Sequence, residues 1–97
     1  MKPFLEALSE RILVCDGAMG TMLYGKGVFI NRCFESLTLT EPDMVRDVHA
    51  QYLRAGADII ETNTFGATRL AMADFGMEHL VREMNLRACE LARKEAD

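Results

Sequence analysis

Two short apolar runs constrain this chain more than any other feature. Ile12-Leu13-Val14-Cys15 and Asp58-Ile59-Ile60-Glu61-Thr62 are rich in branched residues, are bounded by polar or turn residues, and alternate with helical patterns. Strands separated by helices run parallel and are joined by crossovers. Parallel strands are buried on both faces, so the run at 12–15 predicts a strand covered on both sides. Two strands cannot bury three amphipathic helices. A closed eight-stranded α/β barrel takes about 250 residues, against the 97 present. The pattern therefore points to an α/β fold of which these residues form the N-terminal part, and the ending Glu95-Ala96-Asp97, which lacks a glycine stop, agrees with that expectation.

The helical patterns are well punctuated. Pro3 to Glu10 reads as a short helix with Phe4, Leu5 and Leu8 on one side. Thr40-Glu41-Pro42-Asp43 predicts a helix start, with Thr40 as cap and Pro42 in the first turn. Met44, Val45, Val48, Tyr52 and Leu53 follow at helical spacing, and Gly56 supplies the stop. Thr68 to Phe75 predicts a short helix closed by Gly76. Leu80, Val81, Met84, Ala88, Leu91 and Ala92 mark the apolar face of a last helix from Met77. The 23 residues from Gly17 to Leu39 carry four glycines and read as a long connection, a kind that is usually functional.

Composition excludes several classes. Eleven Lys+Arg against fifteen Asp+Glu give a net charge of −4, spread evenly along the chain. This is the wrong balance for binding nucleic acid through phosphates. No apolar run approaches the roughly 20 residues of a spanning helix, and the opening Met1-Lys2-Pro3-Phe4-Leu5-Glu6 puts an acid where a signal peptide needs apolar residues. The expectation is a cytoplasmic protein with neither nucleic-acid nor membrane partners. Three cysteines, with no CxxC pair, argue against a disulfide framework and a local zinc knuckle. Cys15 and Cys89 read as small buried hydrophobes and Cys33 as a surface thiol. His49 and His79 fall in helices with no metal-type neighbour at ligand spacing.

Ligands of parallel α/β proteins bind beyond the carboxyl ends of the strands. Two polar clusters stand there: Asp16-Gly17-Ala18-Met19-Gly20-Thr21 and Glu61-Thr62-Asn63-Thr64. Adjacent strands lie about 4.8 Å apart, so neighbouring strands bring both clusters to one pocket. Carboxylates at Asp16 and Glu61 suit an ammonium. Backbone N–H groups around the glycines suit a carboxylate. With no basic side chain in either cluster, this describes an amino-acid pocket better than a phosphate site. The plainer alternatives are that Asp16-Gly17 is only a turn and that Asn63 or Thr64 only caps the next helix. An aspartyl-nucleophile phosphatase is disfavoured because Val14 stands where its nucleophile is needed.

At these clusters the chain resembles a known family. Arg11-Ile12-Leu13-Val14-Cys15-Asp16-Gly17-Ala18-Met19-Gly20-Thr21-Met22-Leu23 resembles the opening of the homocysteine S-methyltransferase domain. Ala55-Gly56-Ala57-Asp58-Ile59-Ile60-Glu61-Thr62-Asn63-Thr64-Phe65-Gly66-Ala67 is similar to its second-strand signature. The segment Gly27-Val28-Phe29-Ile30-Asn31-Arg32-Cys33-Phe34-Glu35-Ser36-Leu37 most resembles the bifunctional branch fused to a methylenetetrahydrofolate reductase, and next the N-terminal module of cobalamin-dependent methionine synthase.

The resemblance implies that residues 1–97 are the N-terminal part of a (β/α)8 TIM-type barrel, with about two strand–helix units. The implied chemistry is zinc-dependent methyl transfer from a methyl donor to the thiol of homocysteine, giving methionine. The zinc ligands implied are three cysteines downstream of residue 97, and Cys15, Cys33 and Cys89 do not match them. FAD or cobalamin would belong only to other modules of a parent protein. Asp16, Gly17, Glu61, Thr62 and Asn63 are the substrate-binding residues carried over. The fragment alone is expected to be inactive and to self-associate through exposed apolar faces. The alternative is a non-catalytic small α/β module that binds an amino acid or a partner.

Overall fold

The computed structural model describes residues 2–29 and 32–97. Met1 of the opening stretch, and Ile30 and Asn31 of the segment 27–37 that carries part of the resemblance, lie outside the described residues. The order of elements is α1 (Phe4–Glu10), α2 (Met19–Gly25), a 3-10 turn (Phe34–Ser36), α3 (Leu37–Thr40), α4 (Pro42–Arg54), α5 (Arg69–Ala73), a second 3-10 turn (Glu78–Leu80) and α6 (Val81–Ala96).

The two strand-type runs meet as expected, and in parallel, but they form no regular strand. Among the described residues they make one isolated parallel bridge, Cys15 with Ile59. Its hydrogen bonds are short. Asp58 N and Ile59 N both donate to Val14 O, at 2.7 and 3.1 Å, and Asp16 N donates to Ile59 O at 2.9 Å. The Asp58 carboxylate completes the join by accepting from Val14 N and from the Arg11 guanidinium, each at 3.0 Å. Those two donors, Arg11 first, hold its carboxyl below the usual range.

The expectation that Ile12–Cys15 is covered on both faces fails: Ile12 is 89% exposed and Val14 55%. The first run has the second as its neighbour on one side and little on the other, whereas Ile59 and Ile60 of the second run are partly covered.

The core lies among the helices instead. Val45 and Val48 of α4, Leu91 of α6, Leu23 of α2 and Leu37 of α3 form one buried cluster, joined by Val28. Met72 of α5, Met84 of α6, Ala67 and Cys33 form a second. The faces predicted for α4 and α6 are the buried ones. Gly56, at φ +108°, turns the chain out of α4 as a residue without a Cβ does easily.

Other expectations need correction. The stretch from Gly17 to Leu39 is not an open connection. Met19, Met22 and Leu23 share one face of α2 and pack on the first cluster, a spacing strong enough to outweigh two helical glycines. Thr40 does not cap α4. It ends α3, and its hydroxyl donates to Ser36 O at 3.3 Å; Glu41 holds the cap position, and Pro42 opens the helix. Cys33 is buried rather than a surface thiol, because α5 and α6 close over it. Cys15 and Cys89 are exposed rather than buried, Cys15 because its bridge has no third neighbour.

His49 is fully buried, and neither ring nitrogen has a hydrogen-bond partner among the described residues. Burial pushes its pKa down, and the charges of Asp16 and Glu95 oppose this in part. The folded pKa therefore lies below the unfolded value of about 6.5. The unfolded chain binds more protons in that window, so stability is complete above about pH 6.5 and is lost as pH falls toward the folded pKa. A urea midpoint that falls between pH 7.5 and 5.5, and falls less in His49→Phe, is the expected result; equal slopes for both proteins would remove the role assigned to His49.

The uncovered faces of the bridge also predict association. Ile59 and Ile60 line an apolar groove of about 560 Å³ with Leu53 and Ala92. Ile12, Phe65 and Leu70 are each at least 89% exposed. Exposed apolar surface of this extent drives association. Light scattering at micromolar concentration should give a mass above the 10.9 kDa of one chain. A monomer with one cooperative unfolding transition would favour the alternative of a small autonomous module.

Candidate functional site

The bridge places the two polar clusters side by side. Asp16 follows Cys15 directly, and its Oδ2 accepts the Glu61 backbone N–H at 3.1 Å. The Cys15 thiol lies between the acids and donates to Glu61 Oε1 at 3.4 Å, with Asp16 Oδ1 at 3.7 Å. Beyond them opens a cleft of about 350 Å³. Asp16, Gly17 and Ala18 line it from the first cluster and Glu61, Thr62 and Asn63 from the second; Phe34 and Glu35 of the intervening segment complete it. All five residues carried over as substrate-binding positions thus face one space.

Their environments differ. Asp16 and Thr62 are half-buried, Gly17 and Glu61 are exposed, and Asn63 is buried. Among the described residues, no ion pair engages Asp16, Glu35 or Glu61, and no Lys, Arg or His lines the cleft. The cleft is therefore set to receive a cation. Thr62 Oγ1 and Thr64 Oγ1 share a hydrogen bond of 2.7 Å. The Asn63 amide nitrogen donates inward, to Phe34 O at 2.9 Å and Thr38 Oγ1 at 3.2 Å. Asn63 therefore shapes the cleft by tying its second wall to the 33–38 segment. It does not cap α5; Thr68 does, accepting from Ala71 N at 3.2 Å.

Three residues of this site escape a reading of the sequence. Glu35 accepts the Gly66 N–H at 3.2 Å and adds a third carboxylate to the cleft. Phe34 gives its carbonyl to Asn63. Tyr52, which helical spacing marks only as part of an apolar face, donates its hydroxyl to Ala18 O at 2.7 Å. The signal for Glu35 was an acid within a glycine-rich connection, which carries little information until the connection is folded.

The zinc that the resemblance implies finds no fitting donor set here. Among the described residues, the one group able to offer three ligand atoms is Cys15, Asp16 and Glu61, all within 4.8 Å of one another. It holds a single sulfur, and its thiol pKa is raised, first by the hydrogen bond to Glu61 and then by desolvation and the charge of Asp16. A zinc-bound sulfur is a thiolate, and the raised thiol pKa makes that form more costly here. Cys33 packs against Met72 and Cys89 lines the separate apolar groove, so the three cysteines do not converge.

The sequence pattern of the family described as Homocysteine S-methyltransferase matches residues 13–97. A crystal structure of the homocysteine methyltransferase MmuM from Escherichia coli, in its metallated form, superposes with a TM-score of 0.82 at 30% sequence identity, covering 97% of this chain and 34% of that one. The chain spans about a third of the length of that structure. No described helix is long and apolar enough to cross a membrane.

The Cys15 environment gives a direct chemical check. Because Glu61 holds the thiol proton, alkylation of Cys15 by iodoacetamide at pH 8 should be slow, and Glu61→Ala should speed it severalfold by moving the thiol pKa back toward its usual value of about 8.5. Peptide mapping reads the site-specific rate. An unchanged rate in the variant would break the Cys15–Glu61 link.

Proposed function

Since the chain belongs to the homocysteine S-methyltransferase family, we propose that it supplies the homocysteine-binding edge of an enzyme that moves a methyl group to the homocysteine thiol and forms methionine. In this reading the chain is the N-terminal part of a (β/α)8 barrel, working in the cytoplasm with homocysteine and a methyl donor as its partners. The observation that carries it is the acid-lined cleft beside the Cys15–Ile59 bridge, where both motifs meet and no basic side chain competes.

Each group has a defined task. The ammonium of homocysteine lies against the carboxylates of Asp16 and Glu61. Asp16 holds both walls in register, because the same carboxylate accepts the Glu61 N–H. The ligand carboxylate lies on the backbone N–H groups of the Gly17 turn, where the missing side chain permits close approach. Gripping both ends of the amino-acid moiety leaves the side-chain thiol pointing away from the acids, which suits a sulfur that reacts as a thiolate. Zinc dependence belongs to the reading, with the ligands assigned to residues outside 1–97.

Titration of the isotope-labelled chain with L-homocysteine should shift the amides of Asp16, Gly17 and Glu61. Asp16→Ala should weaken binding about tenfold, the equivalent of roughly 1.4 kcal/mol, since one charge-assisted contact and the tie to Glu61 are lost together. Mixed with homocysteine and a methyl donor, the chain alone should form no methionine above a protein-free control. Absence of homocysteine binding would overturn the assignment of the cleft.

A further inference from the structure

The stretch from Asp16 to Ala18, which leads into the first turn of α2, forms one wall of the cleft, yet Gly17 and Ala18 bring no side chain able to fix it. Its support comes from below. Tyr52, half-buried on α4, reaches this stretch in two ways. Its hydroxyl donates to Ala18 O at 2.7 Å. Its ring edge fills the space beneath Gly17, so that a Cβ added there would lie 2.9 Å from the hydroxyl oxygen and 3.1–3.3 Å from ring carbons. Real Cβ atoms do not come as close as that first distance, so a side chain at position 17 would force either Tyr52 or the 16–18 segment to shift.

Tyr52 stands one turn after buried Val48 and His49 on a helix that packs closely on α6. Tyr52 itself is partly buried against the first cluster.

We propose that Tyr52 is a positioning residue for the cleft: acting through Gly17 and Ala18, it sets the height of that segment against Asp16 and Glu61 and so sets ligand affinity. The inference rests on the homocysteine reading and adds to it a residue outside both motifs. Tyr52 touches the segment and not the ligand. Its removal should change affinity through the geometry of Gly17, which makes positions 17 and 52 energetically coupled.

The test is a double-mutant cycle on the full 97-residue chain, with Tyr52→Phe, Gly17→Ala and the pair. Calorimetric affinity for L-homocysteine and the urea midpoint are read on the same samples. Tyr52→Phe keeps the ring and removes the closest atom and the hydrogen bond; about fivefold weaker binding is expected, with the urea midpoint close to that of the parent. Gly17→Ala should weaken binding tenfold or more. In the pair, the Cβ meets a shorter side chain, so the combined loss should be clearly smaller than the product of the two.

Additive losses, or affinity that merely follows the urea midpoint in all three variants, would overturn the positioning role. Unchanged affinity in Tyr52→Phe would overturn it too, while leaving the homocysteine reading intact. A parent chain that does not bind L-homocysteine would overturn that reading and, with it, this inference.

Discussion

Everything in the cleft depends on one short parallel join. Three backbone hydrogen bonds between residues 14–16 and 58–59, with the Asp58 carboxylate tying Arg11 and Val14 N to them, hold the two polar clusters in register. Because Asp16 follows the bridged Cys15 and Glu61 lies two residues after the bridged Ile59, the join brings their oxygens and the Glu61 N–H to contact distance. A shift of one residue would turn alternate side chains to the other face and separate the acids. The Arg11–Asp58 pair is largely exposed, with 59% and 25% of the two side chains accessible, so its value lies in fixing register rather than in stabilising the fold.

Around that join the helices act as scaffold. The α4–α6 packing and the cluster of Leu23, Leu37, Val45, Val48 and Leu91 form the firm part of the molecule. The segment from Cys33 to Thr38 links this scaffold to the second cluster: Phe34 O and Thr38 Oγ1 take the Asn63 amide, and the Glu35 carboxylate takes the Gly66 N–H. Tyr52 does the same for the first cluster. The cleft is made of short, glycine-containing turns, and each turn is held by a polar contact from an element with its own buried face. That division, between irregular backbone that lines a cleft and a packed scaffold that holds it, is how loops come to carry function.

Much of this was legible from residue order. The apolar spacing of α4 and α6 showed the faces they bury, since periodicity responds directly to burial. The two branched runs marked the segments that pair, and the polar residues just beyond them marked the cleft. The glycine-rich stretch was not legible. Its glycines suggest an open connection, yet Met19, Met22 and Leu23 satisfy a helical face once Val45 and Val48 are there to receive it. The cysteines misled for the same reason: burial of a small side chain depends on what closes over it, and α5 and α6 close over Cys33, while nothing closes over Cys15.

By itself the sequence determined which two runs pair and in what sense, the family to which the chain belongs, the acids at the ends of the paired runs and the absence of basic charge near them. The pairing runs, the acids and the charge follow from local periodicity and composition, which act within a few residues, and the family from the matching motifs over residues 13–97. Only the tertiary structure decided that the run from Ile12 to Cys15 lies largely uncovered, that Glu35 joins the cleft, that Asn63 turns inward, and that Tyr52 stands under Gly17. Each of those depends on contacts between residues 25 to 47 positions apart. Such contacts form only after the helices have packed, and no residue pattern along the chain encodes the distance between them.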